Sequence, residues 1–143
     1  MQQVILTIIL FFSSLLLANA QESEVKNTKR IVTVTVINAL SDKGTVKFAF
    51  YDKKGFRIEP LFAKSASVEN GFSSVIFENV PQGEYAILCF HDENNNGRMD
   101  FYENGMPVES YGSSNNVMNM GPPEFYSSKF EVAMEDLDLK IKF

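Results

Sequence analysis

From residue 137 to the C-terminus, apolar and charged residues take turns. Leu137, Leu139, Ile141 and Phe143 are separated by Asp138, Lys140 and Lys142. A period of two puts successive side chains on opposite faces of an extended chain, so this segment is predicted as a strand with one face in a core. It is the clearest of a series. Residues 31–37 alternate Val with Thr, and residues 45–51 put Val46, Phe48 and Phe50 on one face. Residues 72–78 turn Val75 and Phe77 inward, and residues 126–133 alternate Phe130 and Val132 with Lys129 and Glu131. Residues 84–91 are apolar on both faces, which predicts a central strand. Between these runs lie Gly-, Asn- and Pro-containing turns at 41–44, 52–55 and 79–83. Residues 56–70 show no period and are broken by Pro60; within them 61–67 suits either a short helix or an edge strand. Residues 105–123 read as a long polar excursion in which residues 117–120 pair briefly. Many short strands and little helix predict an all-β chain. The expected architecture is an antiparallel β-sandwich of about seven strands, prealbumin-like or immunoglobulin-like.

One stretch carries more chemistry than the rest. Residues 92–103 read DENNNGRMDFYE and fit the spacing D-x-[DN]-x-[DN]-G-x5-E of a calcium-binding loop. Calcium takes six to eight oxygen ligands at roughly 2.3–2.6 Å, so alternate side chains must converge on one point. Gly97 permits the sharp turn that convergence needs. The predicted ligands are Asp92, Asn94, Asn96, the carbonyl of Arg98, Asp100 (directly or through water) and Glu103 as the bidentate closing carboxylate. The flanks do not suit a helix–loop–helix unit, because a strand pattern precedes the loop and Gly105 and Pro107 follow it. The expectation is a calcium loop grafted onto a sheet edge. The same residue types also build a plain polar turn without a metal.

The first twenty residues carry no charged side chain, and an apolar run there ends in Ala18-Asn19-Ala20. That pattern predicts a secretory signal peptide at 1–20, a flexible lead at 21–30 and a single domain at 31–143. The absence of Lys or Arg before the apolar run also suits an uncleaved anchor helix; the small-residue site favours cleavage. The residue directly after it is Gln21, not a cysteine that could accept a lipid. The expected location is periplasmic or extracellular. A formal net charge of −5 disfavours a nucleic-acid partner, which needs a basic face. Cys89 is the one cysteine, so no internal disulfide forms, and within AILCF it reads as a small buried hydrophobe.

Residues 77–87, FENVPQGEYAI, resemble the F-x-x-[LV]-P-x-G-x-Y signature of transthyretin-like and carboxypeptidase-regulatory-like sandwiches, in which a Pro–Gly turn joins two strands and the Tyr packs inward. The blocks FHDENNNGRMD, GMPVESYGSSNN and GPPEFYSSKF resemble a family of small exported bacterial proteins described only as domain of unknown function 2141. The resemblance implies a prealbumin-like sandwich and export, and it implies no activity. Asn94 and Asn96 give this loop less negative charge than an all-Asp version.

Enzymatic readings find little to stand on. His91 is the one histidine, and nothing in the sequence gives it the partners of a triad. No G-x-S-x-G or H-E-x-x-H occurs. Glu103 and Glu109 would have to act as the paired carboxylates of a glycosidase. Tyr102, Tyr111 and Phe125 lie in the excursion, either lining a ligand surface or folded back on the sheet. The sequence therefore predicts a non-enzymatic, calcium-stabilised binding or accessory module of the bacterial envelope. It would act as a monomer, on an envelope protein or glycan. The alternative is an envelope hydrolase acting on glycans or peptides through carboxylates near the acidic loop.

Overall fold

The computed structural model describes residues 29–117 and 121–143. The predicted signal peptide, most of the predicted lead and residues 118–120 of the predicted brief pairing lie outside them. The described elements in chain order are β1 (Arg30–Val36), β2 (Thr45–Tyr51), β3 (Phe62–Ser67), β4 (Ser73–Val80), β5 (Gly83–Asp92), β6 (Tyr111–Ser113), a one-turn helix α1 (Phe125–Ser128), β7 (Lys129–Val132) and β8 (Leu137–Ile141). They form two facing sheets. One has the order β4-β1-β8; the other has the order β3-β2-β5-β6, with β7 pairing the first half of β5. The chain is an all-β sandwich, as its alternation predicts.

The core lies between the sheets and is built from the predicted inward residues. Val32, Val34 and Val36 of β1, Val46, Phe48 and Phe50 of β2, and Val75 and Phe77 of β4 are all buried. Phe50 is the centre of an aromatic cluster, with ring centroids 5.0 Å from Phe77, 5.0 Å from Tyr85, 5.7 Å from Phe62 and 5.8 Å from Phe130. Such tilted and edge-on pairs contribute about 0.5–1.5 kcal/mol each beyond the area they bury. The Pro81–Gly83 turn carries the chain from β4 in one sheet to β5 in the other, and Tyr85 just after it is buried.

Three expectations need correction. The sandwich is not wholly antiparallel: β8 pairs with β1 in parallel, Val34 opposite Leu139 and Val36 opposite Ile141. Alternation decides which side chains face inward, but it carries no information on strand direction. Direction follows from connectivity. The chain leaves β7 in one sheet and has only residues 133–136 to reach the other, so it enters beside the start of β1. There Asp136 Oδ1 accepts the Ile31 backbone N–H at 2.8 Å. Second, residues 125–128 form α1 rather than the start of a strand, so β7 begins only at Lys129. Third, pairing begins at Arg30, opposite Val80, inside the predicted lead.

The unreadable stretch resolves into β3, an edge strand whose residues are mostly exposed. It is followed by the turn at Asn70-Gly71. Both take positive φ, 53° and 79°, and Glu69 and Phe72 exchange backbone hydrogen bonds of 2.8 and 3.0 Å across them. Two residues with positive φ match the right-handed twist of the strands they join, which is why Asn-Gly is favoured in tight hairpins. Val68 just before the turn is buried under the core.

Candidate functional site

The acidic loop leaves the end of β5 above the turn that precedes β2. Gly44 in that turn has φ 68°, and a Cβ there would run into the Asp92 carbonyl oxygen and lie 2.6 Å from Glu93 Cα. Only glycine allows this close approach. His91 Nε2 donates to the Lys43 carbonyl of the same turn at 2.7 Å. The His91 ring is fully buried, stacks on Phe143 with centroids 6.2 Å apart, and leaves Nδ1 without a hydrogen-bond partner, 3.7 Å from Glu93 Oε1. His91 thus fixes the strand end on which the loop is mounted.

The loop closes on itself through its own side chains. Asp92 is fully buried; its Oδ1 accepts the Asn96 N–H at 3.0 Å and its Oδ2 the Gly97 N–H at 2.9 Å. Lys47 Nζ stands 3.7 Å from Asp92 Oδ2. Asn94 Oδ1 accepts the Asn96 N–H at 2.9 Å, and Asn96 Oδ1 accepts the Arg98 N–H at 3.0 Å. These are side-chain turns of the kind Asn and Asp form readily. Gly97 takes φ 81°, the left-handed conformation that its spacing predicted. Asp100 Oδ2 receives the Asn94 Nδ2 at 2.8 Å and the Asn96 Nδ2 at 2.6 Å. The Asn94 amide above all, with the Asn96 amide and the Arg98 charge, holds the Asp100 carboxyl below the usual carboxylate range, against the opposing effect of desolvation.

Four predicted ligands, Asp92, Asn94, Asn96 and Asp100, are therefore interlinked. Arg98 joins them through its backbone N–H, while its side chain is exposed with Nε 3.6 Å from Asp100 Oδ1. Glu103 stands apart. Beyond Asp100 the chain makes a small hairpin: Val108 N–H donates to the Asp100 carbonyl at 2.9 Å, Tyr102 N–H to the Met106 carbonyl at 2.8 Å and Gly105 N–H to the Tyr102 carbonyl at 2.8 Å. Glu103 lies at its exposed turn. The carboxylate that this hairpin returns to the loop is Glu109, whose Oε2 accepts the Asp100 N–H at 3.2 Å and whose Oε1 is buried without a partner. Sequence spacing missed that placement because it counts along the chain, whereas the hairpin brings position 109 back beside position 100. Among the described residues no cluster of three or more His, Cys, Asp or Glu side chains is placed to hold a metal. The donors here are instead mixed, carboxylates with amides.

The remaining candidates divide. Tyr102 and Tyr111 are 58% and 40% exposed, whereas Phe125 is buried against Phe56. Cys89 is buried, and burial pushes its thiol well above its ordinary range, with an opposing pull from a backbone hydrogen bond of Gly112.

Residues 34–140, well over half of the sequence, match a family described as an uncharacterised protein conserved in bacteria (DUF2141). The chain belongs to that family. No curated protein and no solved structure matches it. The matched span runs from the middle of β1 to the penultimate residue of β8, so it takes in nearly the whole sandwich together with its loop.

Proposed function

We propose that this protein is an exported, non-enzymatic binding or accessory module of the bacterial envelope whose loop at residues 92–100 is stiffened by one calcium ion. The observation that carries the reading is the convergence of Asp92, Asn94, Asn96 and Asp100 around Gly97 at the end of β5. A carboxylate or amide oxygen has two lone pairs, so each oxygen already accepting one backbone N–H keeps a second for a cation. The carbonyl of Arg98 adds a neutral ligand. Glu109 is the better closing carboxylate, since its Oε1 is already buried beside the loop, and Glu103 is the one spacing alone suggests. Export is supported by the apolar, uncharged first twenty residues and their Ala18-Asn19-Ala20 ending. Among the described residues no helix is long and apolar enough to cross a membrane.

Two amides among the ligands and a loop without flanking helices favour weak binding, with Kd about 10⁻⁴–10⁻³ M, as in extracellular modules. Magnesium should bind less well because it demands a tight octahedron and holds its waters. Thermal melts in millimolar calcium and in chelator test the reading. A cation that binds only the folded state at 100 times its Kd adds about 2.7 kcal/mol. Asp92→Ala should abolish the calcium-dependent shift, and Asn96→Ala serves where loss of the buried Asp92 impairs folding. Glu109→Gln should weaken the shift more than Glu103→Gln. Equal melting temperatures for the wild type with and without calcium would reduce the loop to a turn.

A further inference from the structure

The outer face of an antiparallel sheet usually meets water and is polar. Here it is not. In the five-stranded sheet Phe48, Phe50, Ile87 and Cys89 fill the core, so their neighbours face outward. Those neighbours include Ala49, paired with both Ala63 and Leu88, and Phe90, paired with Tyr111. The apolar outer positions of β5 are roofed by the hairpin that follows the acidic loop and by residues 121–123. Between roof and floor lies a cleft of about 1100 Å³. Its roof presents Met99, Phe101 and Met106, and the last two are 58% and 60% exposed. Large apolar side chains are thus held over an apolar floor without being packed onto it.

Charge narrows the occupant. The chain carries a net charge of −5, yet among the described residues lining the cleft three are basic, Lys47, Arg57 and Lys64, and none is acidic. Two of the three are already engaged. Lys64 Nζ donates to the Ile76 carbonyl at 2.6 Å, and Lys47 stands 3.7 Å from Asp92. Arg57 is exposed, has no ion-pair partner among the described residues, and lines the cleft together with Tyr51. A guanidinium is a planar fork that matches a carboxylate in two parallel hydrogen bonds. From Tyr51 to Lys47 the strand runs four residues, about 13 Å of floor.

We infer that this cleft binds an amphiphilic carboxylate, a free acyl chain of medium length, with its headgroup on Arg57 and Tyr51. Its apolar body lies over Ala49, Leu88 and Phe90 beneath Phe101 and Met106. An apolar cleft with one convergent cationic end is the usual build of a small-molecule site. The inference goes beyond the calcium reading and does not depend on it, because the roof hairpin is closed by its own backbone hydrogen bonds.

Isothermal titration of the purified protein with dodecanoate, in chelator, tests it. Chelator separates this outcome from that of the calcium reading and prevents precipitation of the calcium soap. The expected result is one dodecanoate per chain, binding at least tenfold weaker in Arg57→Gln, weaker also in Phe101→Ser, and weaker for uncharged dodecanol than for dodecanoate. Phe101 is mostly exposed, so its replacement should leave the fold intact, as circular dichroism would check. Absence of binding to the wild type, unchanged affinity in both variants, or equal affinity for dodecanol would each overturn the inference.

Discussion

Asp100 shows how single residues make the loop. Its charged form is favoured first by the Asn94 amide, then by the Asn96 amide and Arg98. A carboxyl with a depressed folded value contributes stability that is fully present above the unfolded value of about 3.9 and is lost as pH falls through the folded one. The loop should therefore be unchanged between neutrality and about pH 5, then loosen below about pH 4. The side-chain amide resonances of Asn94 and Asn96 should titrate together in that range, and Asp100→Asn should remove the titration. If both resonances stay fixed down to pH 2, the Asp100 cage is not what holds them. Because Asp100 is partly open to solvent, its contribution to global stability is screened and the local signal is the one to follow.

At the scale of elements, β8 is an edge strand with uneven burial. Leu137 and Leu139 are half-buried and pack against the core from its margin, whereas Ile141 is fully buried. The difference has a local cause: Gly112 of β6 comes so close that a Cβ on it would lie 2.7 Å from Ile141 Cγ2. β6 covers the end of β8 and leaves its beginning open. Ile141→Ala should therefore cost about 2–5 kcal/mol, as fully buried aliphatic truncations do. Leu139→Ala should fall at or below the low end of that range, and Lys140→Ala should stay within about 0.5 kcal/mol. Urea unfolding of the three variants checks the order. Equal losses at Leu139 and Lys140 would refute the register in which Leu139 opposes Val34.

For the whole molecule, Cys89 is a built-in reporter. It is 3% exposed on the central strand, its Sγ lies 3.7 Å from the Gly112 carbonyl, and burial disfavours its thiolate. Since the thiolate is the nucleophile, modification requires the two sheets to part. Labelling by iodoacetamide in native buffer should be slow and should accelerate with denaturant in step with unfolding. Where the loop holds calcium, adding the ion should slow labelling further through the same equilibrium. Rapid labelling of the native protein would show that the sandwich opens locally around β5 and β6.

Much of this was legible in one dimension. The alternation of residues 137–143 and of β1, β2 and β4 determined which side chains enter the core, because a strand has a strict period of two. The spacing from Asp92 to Asp100 determined the loop, because its closure is local and its turn needs only Gly97. Three things were decided by tertiary structure. Strand direction in the β1–β8 pair follows from the short crossing at residues 133–136, which alternation cannot encode. The apolar residues on both faces of residues 84–91 predicted a central strand, and β5 is one, between β2 and β6; that part of its outer face is the floor of a cleft was decided by the fold. The carboxylate beside the loop is Glu109 rather than Glu103, because the hairpin between Asp100 and Val108 folds the chain back by nine residues. Each of these depends on segments meeting in space that are not neighbours in sequence, and a pattern read along the chain holds no term for that meeting.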